Sequence, residues 1–281
     1  MLGKNINFLL IAFLTLYLTC SCTDGKKGRL PASIGQPYEV VLEGDTENIV
    51  EDILTKEVPA LPQAEPLCNL IKVKRGQSKG SYLLVKTRII VDTNKKFAVK
   101  LSHDENATPQ NIIRITASSS EELRKRLNGE KLRLLIDSLE KQHLVSVIQQ
   151  NPEKQKLVKK RFGISMKVPA SIDAQKEGKD FLWLSNNAAR GMQNLLFFHA
   201  NTQQQVDSIL RKNMLGETDQ MYMTIPHLAE RGLWEMKGDA MGGPYVMKRK
   251  GSLIVIGFVY APEMNKRNLM KQLEAVLTTI K

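Results

Sequence analysis

Between Phe8 and Leu18 the chain runs almost unbroken through apolar residues, behind a lone positive charge at Lys4 and ahead of Leu18-Thr19-Cys20-Ser21-Cys22. The run is shorter than the ~20 apolar residues a spanning helix needs, and the residues beyond Cys22 are too polar to extend it. A basic start, a short apolar run and small residues before a cysteine make the pattern of a secretory signal with a lipoprotein-type end. Residues 1–21 are therefore expected to be a signal peptide, with Ser21 before Cys22 fitting a signal peptidase better than Thr19 before Cys20. Cys22 is the expected lipidation site. Each buried methylene of a palmitate-like chain contributes ~0.8 kcal/mol, so two or more chains hold a protein on a bilayer essentially permanently. The fold must then be a water-soluble body on a membrane leash.

With 42% apolar and 25% charged residues, the remainder reads as an ordinary globular chain rather than a disordered or membrane-integral one. The formal charge is +12, and losing Lys4 with the signal leaves it strongly basic. For an exported lipoprotein the fitting partners are the membrane itself, an envelope protein or a cell-wall polymer, and nucleic acid is not expected. Of three cysteines, Cys20 leaves and Cys22 is acylated, so Cys68 stands alone. The mature chain has no intramolecular disulfide and no cysteine-based zinc site, and Cys68 reads as a small buried apolar residue.

Residues 22–37 read as a lipidated, flexible tether broken by Pro31 and Pro37. An N-terminal domain, 38–161, opens with the run Glu39 to Leu42, then a helix from Thr46 to about Lys56 capped by Asp45. Strands come next at Leu70 to Lys74, Tyr82 to Asp92, Phe97 to Leu101 and Asn111 to Ala117. Residues 119–160 are helical, with Ser119 and Glu122 as a capping box, a break at Gly129, and Leu132, Leu135, Ile136, Leu139, His143 and Val147 on one apolar stripe. A C-terminal domain, 162–281, starts with the alternating run Ile164, Met166, Val168. Strands at Phe181 to Leu184 and Met192 to Phe198, a helix from Thr202 to Met214, a long connection from Leu215 to Met247, a strand from Ser252 to Tyr260 and a closing amphipathic helix complete it. Strands in succession with helices laid against them predict an α+β chain of two mainly antiparallel-sheet domains, with helices on one face of each.

No catalytic, metal or cofactor pattern survives its context. Gly76-Gln77-Ser78-Lys79-Gly80 matches a nucleophile elbow, but the residues after it read as strand rather than helix, which makes it a hairpin loop. Ser138-Leu139-Glu140-Lys141 lies within a helix without companion motifs and reads as a solvated face. His103, His143, His199 and His227 show no metal-binding spacing, and no glycine-rich phosphate loop is present.

The stretch from Tyr222 to Tyr245 concentrates Trp, Gly, Pro and charge in an expected long loop, where function tends to collect. Its candidate binding surface is Arg231, Trp234, Glu235, Asp239, Met241, Gly242, Gly243, Pro244 and Tyr245, with Trp183 beside it. In the competing structural reading Trp234 and Tyr245 anchor the loop on the sheet and Arg231 pairs with Glu235.

This segment, with Leu30-Pro31-Ala32-Ser33-Ile34-Gly35, Leu61-Pro62-Gln63-Ala64-Glu65-Pro66, Phe181, Trp183, Val259-Tyr260-Ala261-Pro262 and Lys266-Arg267, resembles the Bacteroidetes lipoprotein family catalogued as domain of unknown function 4837. The resemblance runs over nearly the whole mature chain, and Arg-Gly-Leu-Trp-Glu and Met-Gly-Gly-Pro are its most specific elements. It implies an envelope lipoprotein and no particular activity. Together with Thr23, which is not the aspartate that commonly holds lipoproteins at the inner membrane, it implies the outer membrane, and the lack of an acidic run after Cys22 points to its periplasmic face. The expected role is a non-catalytic binding or scaffold module. The alternative is a periplasmic hydrolase or transferase using Asp239, Glu235 and His227, which requires those side chains to converge in one cavity.

Overall fold

The computed structural model describes residues 29–281. The expected signal peptide, the expected lipidation site Cys22 and the first part of the expected tether lie outside the described residues. By Ala32 the chain is already pinned, since Ala32 bridges to Thr108 and Ile34 to Val85, so the latter part of the expected tether lies along the first sheet.

The first half comprises β1 (Glu39–Glu43), α1 (Ile49–Leu54), β2 (Asn69–Val73), α2 (Ser81–Leu84), β3 (Thr87–Asp92), β4 (Ala98–His103), β5 (Asn111–Thr116), α3 (Ser120–Arg126) and α4 (Gly129–Val147). Its sheet has the order β2-β1-β3-β5-β4. The α+β class holds, but this sheet is mostly parallel: β1 runs parallel to β2 and β3, and β3 to β5, leaving only β4 and β5 antiparallel. The physical reason lies in the connections. Those from β1 to β2 and from β2 to β3 are long enough to cross the sheet, as parallel pairing demands. β1 therefore sits between β2 and β3, and the segment 75–80 is a crossover into the short helix α2, not the expected hairpin loop.

Alternation along these strands places Val40, Leu42, Ile89, Val91, Ile113 and Ile115 on one face, against α1, α3 and α4. The opposite face carries the Arg88–Glu43 and Arg114–Glu105 pairs. Asp45 does cap α1, though from four residues before the helix begins. Its carboxylate accepts the amide hydrogens of Ile49, Val50 and Glu51 at 3.0, 2.9 and 2.8 Å.

The second half comprises α5 (Pro152–Phe162), β6 (Ala174–Gly178), β7 (Phe181–Ser185), β8 (Met192–His199), α6 (Gln203–Asn213), β9 (Tyr222–Thr224), β10 (Arg231–Lys237), β11 (Gly242–Lys250), β12 (Leu253–Tyr260) and α7 (Arg267–Thr278). The sheet, ordered β6-β7-β8-β12-β11-β10-β9, is antiparallel throughout. Helices cover both of its faces rather than the expected one. α5 and α7 pack over Leu182, Leu195, Phe197 and Val255, while α6 packs over Leu196, Phe198, Ile254 and Ile256. The cause is legible in the central strands, because Leu253-Ile254-Val255-Ile256 and Leu195-Leu196-Phe197-Phe198 have no polar side for water to face.

One helix changes sides from its expected place, and another joins the halves. α5, expected in the first domain, buries Val158 in the second core. α7 sends Ala275 into the first core and Leu273, Val276 and Leu277 into the second. The run Ile164, Met166, Val168 is buried as its alternation demands but joins no named strand. It runs beside the chain end, where Ser165 and Lys281 exchange backbone hydrogen bonds. Among the described residues no helix is long and apolar enough to cross a membrane.

Candidate functional site

The expected loop between Leu215 and Met247 is in large part sheet: β9, β10 and the first part of β11 take up about half of it. The register explains its composition. Trp234 lies directly opposite Gly243, and Tyr245 directly opposite Gly232. Each aromatic ring thus rests over a glycine on the neighbouring strand. A Cβ on Gly232 would come within 2.7 Å of the Tyr245 ring, and one on Gly243 within 2.1 Å of the Val259 carbonyl oxygen and 3.1 Å of the Trp234 Nε1. That indole nitrogen donates to the same Val259 carbonyl at 3.1 Å, and its ring meets Phe258 edge-on at 5.2 Å. The Tyr245 hydroxyl donates to the backbone carbonyl of His227 at 2.6 Å. Trp234 and Tyr245 are only 3% and 2% exposed, so these motifs pack the sheet and offer no aromatic surface to a partner.

The rest of the predicted surface disperses. Pro244 and Gly243 are buried in β11 and Gly242 is half-buried at its start. Met241 is half-buried against the second core, and its carbonyl accepts the Met236 amide. Trp183 donates its indole hydrogen to Asn194 at 2.9 Å. Arg231 does not pair with Glu235; it reaches Glu274 of α7 at 3.3 Å. Glu235 and Asp239 are exposed, the first beside Thr224 and the second bound to the following amide of Ala240. The exposed His227 contributes only its backbone to Tyr245, and among the described residues no cavity collects these three side chains. Geometry thus withdraws from the hydrolase alternative the convergence it requires.

Two constellations that sequence reading missed lie where the halves meet. The first is an ionic seam between α4 and α7. Glu274 contacts Lys141 at 2.6 Å, Lys271 at 3.0 Å and Arg231 at 3.3 Å. Asp137 contacts Lys141 at 2.7 Å and Lys271 at 2.8 Å and accepts the Tyr38 hydroxyl hydrogen at 2.8 Å. Glu140 meets Lys86 at 3.4 Å and accepts from Thr87 and from the Tyr38 amide. Glu140, expected on a solvated helix face, is 1% exposed. Burial pushes the Asp137 and Glu274 carboxyls up, and Lys271 and Lys141 overcome it, holding both below the usual carboxylate range. Burial lowers Lys141, and Glu274 and Asp137 more than restore it. Burial first, then Asp137, drive the Tyr38 hydroxyl upward.

His143 lies close by, with Nδ1 buried and unpartnered among the described residues, and burial followed by Lys86 keeps it below its ordinary 6.5. The signs agree. A histidine depressed in the folded state makes the unfolded chain the better proton binder, so stability falls as pH drops below about 6.5. Depressed carboxylates contribute stability above about pH 4 and lose it as pH falls through their folded values. Urea midpoints measured from pH 8 to pH 2 are expected to hold level at neutrality, decline gently below pH ~6.5 and steeply below pH ~4, with His143→Gln removing the gentle limb alone.

The second constellation is a cleft of about 260 Å³ at the same junction. Leu144, Val147 and Ile148 at the end of α4 form one wall, and Leu273 and Val276 of α7 another. The third is Pro169–Ile172, held in place from both sides. Ala170 donates its amide to the Gln149 carbonyl at 2.7 Å, and Asn151, which caps α5, donates its side-chain amide to Ile172 at 3.1 Å. Gln193 of β8 is fixed by donating to the Leu269 carbonyl and to Gln272, both at 3.0 Å. No ionisable side chain lines the cleft, and Val147, expected on the buried stripe, is 57% exposed at its rim. The signal available in advance was Val147 itself, an apolar stripe position beyond the reach of the first core.

Other chemistry-bearing groups stay apart. His199 hydrogen-bonds Ser252 at 3.0 Å beside an open hollow, but no carboxylate joins the dyad among the described residues. Ser78 donates to Glu43 rather than to a histidine. Cys68 is buried and free, and burial pushes its thiol up to about 12, which leaves it an inert core residue. Among the described residues no three His, Cys, Asp or Glu side chains converge as metal ligands would.

Fold and site together define the class: an α+β protein of two sheet-centred halves, one mixed and one antiparallel, joined by a shared helix, an ionic seam and a neutral cleft. Residues 151–279 match the model of the family described as Domain of unknown function (DUF4837). Residues 33–152 match a different model, described as Domain of unknown function (DUF8532), so the resemblance expected over nearly the whole mature chain is confined to its C-terminal half. The two matches meet between α4 and α5, consistent with the packing of α5 in the second core. No curated protein matches the chain. A crystal structure from Bacteroides thetaiotaomicron VPI-5482 is similar at 14% identity over 42% of this chain, with a TM-score of 0.25. The similarity spans 44% of that protein's length.

Proposed function

We propose that this protein is an envelope lipoprotein, anchored through Cys22 to the periplasmic face of the outer membrane, that works as a non-catalytic binding or scaffold module. The observation that supports binding is the cleft between the halves, since recognition sites favour domain junctions and mostly apolar walls with a few fixed polar groups. Its lack of ionisable lining residues favours an uncharged, largely apolar group, such as a side chain of an envelope protein, over an acidic cell-wall polymer. The lysine excess then serves solubility and the membrane surface, and nucleic acid has no part.

Two measurements in cells test this reading. Tritiated palmitate is expected to label the wild-type chain and not Cys22→Ala, which moves to the soluble fraction. A photo-crosslinking residue in place of Val147 is expected to capture a discrete adduct that Ala170→Trp, which fills the cleft, abolishes. An unlabelled protein retained in the cytosol defeats the anchor; adducts unaffected by filling the cleft defeat the binding site.

A further inference from the structure

The first sheet ends in β4, whose outer edge pairs with no other strand among the described residues. Which of its backbone groups are open follows from the ladder. The amides of Asn111 and Ala117, at the ends of β5, bond to the carbonyls of Lys86 and Asp92 on the β3 side. The alternate residues Ile112, Arg114 and Thr116 therefore turn their backbone toward β4, opposite Ser102, Lys100 and Ala98. Val99, Leu101 and His103 are left pointing their N–H and C=O groups outward. Val99 and Leu101 are also 44% and 39% exposed, because they extend the core face of Ile115 and Ile113 past the last covering helix. Lys100 projects from the other face, beside Arg114, whose charge is already taken up by Glu105 at 2.6 Å through both guanidinium nitrogens.

We infer that this edge receives an extended segment of a partner protein in which apolar residues alternate with acidic ones. The incoming strand would set apolar side chains beside Val99 and Leu101 on one face and a carboxylate beside Lys100 on the other, while backbone hydrogen bonds supply the common grip. A lysine in the middle of an edge strand guards against self-pairing, and the same charge selects an acidic guest. Two nearer candidates fit less well. The chain's own tether carries Lys26, Lys27 and Arg29, which would bring like charge to Lys96 and Lys100. A second copy paired about the middle of the strand with its faces matched would set Lys100 against Lys100.

The edge shares no residue with the cleft, so its test stands apart from the binding reading above. The probe is a fluorescein-labelled heptapeptide alternating valine with glutamate, titrated against the full mature chain in detergent micelles, with the lysine-for-glutamate peptide as control. Anisotropy is expected to show saturable binding of the acidic peptide only, with new hydrogen-exchange protection at the Val99, Leu101 and His103 amides. Leu101→Pro removes one outward N–H without touching the ladder to β5 and is expected to weaken binding about tenfold. Lys100→Glu alters an exposed side chain, keeps the test open should the proline variant fail to fold, and is expected to cost about fivefold. Equal binding of the two peptides, no binding, or binding indifferent to Lys100→Glu overturns the inference. A concentration-dependent dimer that Lys100→Glu strengthens overturns it in favour of a second copy.

Discussion

Trp234→Ala is expected to cost about 3–5 kcal/mol of stability, the range for deleting a large buried aromatic side chain. The loss has three sources in the structure. The cavity opens within the second core, the Val259 carbonyl loses its indole donor, and Gly243 loses the ring that covers it. In a chain of this size that loss lowers the melting temperature by on the order of 10 °C. Thermal unfolding of the purified variant checks the stability, and crosslinking from position 147 in the surviving folded protein is expected to match wild type. A variant that folds with wild-type stability and loses its partner would restore Trp234 as a contact residue and remove the structural reading of the Arg-Gly-Leu-Trp-Glu motif.

Glu274→Ala is expected to be comparably severe, because Lys271, Lys141 and Arg231 all turn toward this carboxylate. Buried ion pairs add little net stability compared with apolar substitutes, but removing one partner strands the others in a poor solvent for charge, at about 3–5 kcal/mol. Restoring balance must then recover part of the loss. Lys271→Met combined with Glu274→Leu is expected to lose less than the sum of the single changes, by at least ~0.5 kcal/mol in a double-mutant cycle. Urea midpoints of the four proteins give the answer, and strict additivity would show that the seam residues act independently. Since α7 feeds both cores, the transition is also expected to stay a single step in wild type and to split in Glu274→Ala if the seam is what couples the halves.

Much of the local structure was legible in advance for a common reason. Amphipathic spacing and caps depend on neighbours a few residues away, and they located α4, α6, α7 and the strands β8 and β12. Asn128 and Thr202, each bonding the amide three residues on, show how local those signals are. Misreadings occurred where a residue's partner is remote in sequence. Glycine beside tryptophan and proline suggested a loop at 222–245, yet Gly232 lies under the Tyr245 ring and Gly243 fits against the Trp234 indole and the Val259 carbonyl, relations that only register reveals. Glu140 and Lys141 looked solvated on an isolated helix, but their partners Lys86, Thr87 and Glu274 arrive from other elements.

The expected address is written in a charge, an apolar run and a cysteine, and the α+β class in periodicities of two and 3.6 residues. Both are properties of contiguous stretches, and neither requires knowing what lies across the molecule. It took the folded arrangement to make the first sheet mostly parallel, to cover both faces of the second, and to turn the tryptophan motif inward. The same arrangement brought α4 and α7 together to make a seam of charge and, one helical turn away, a cleft without any. Strand order, register and burial depend on contacts between residues up to two hundred positions apart, as Glu65 beneath the amides of Lys266 and Arg267 illustrates, and no local pattern encodes such a pairing.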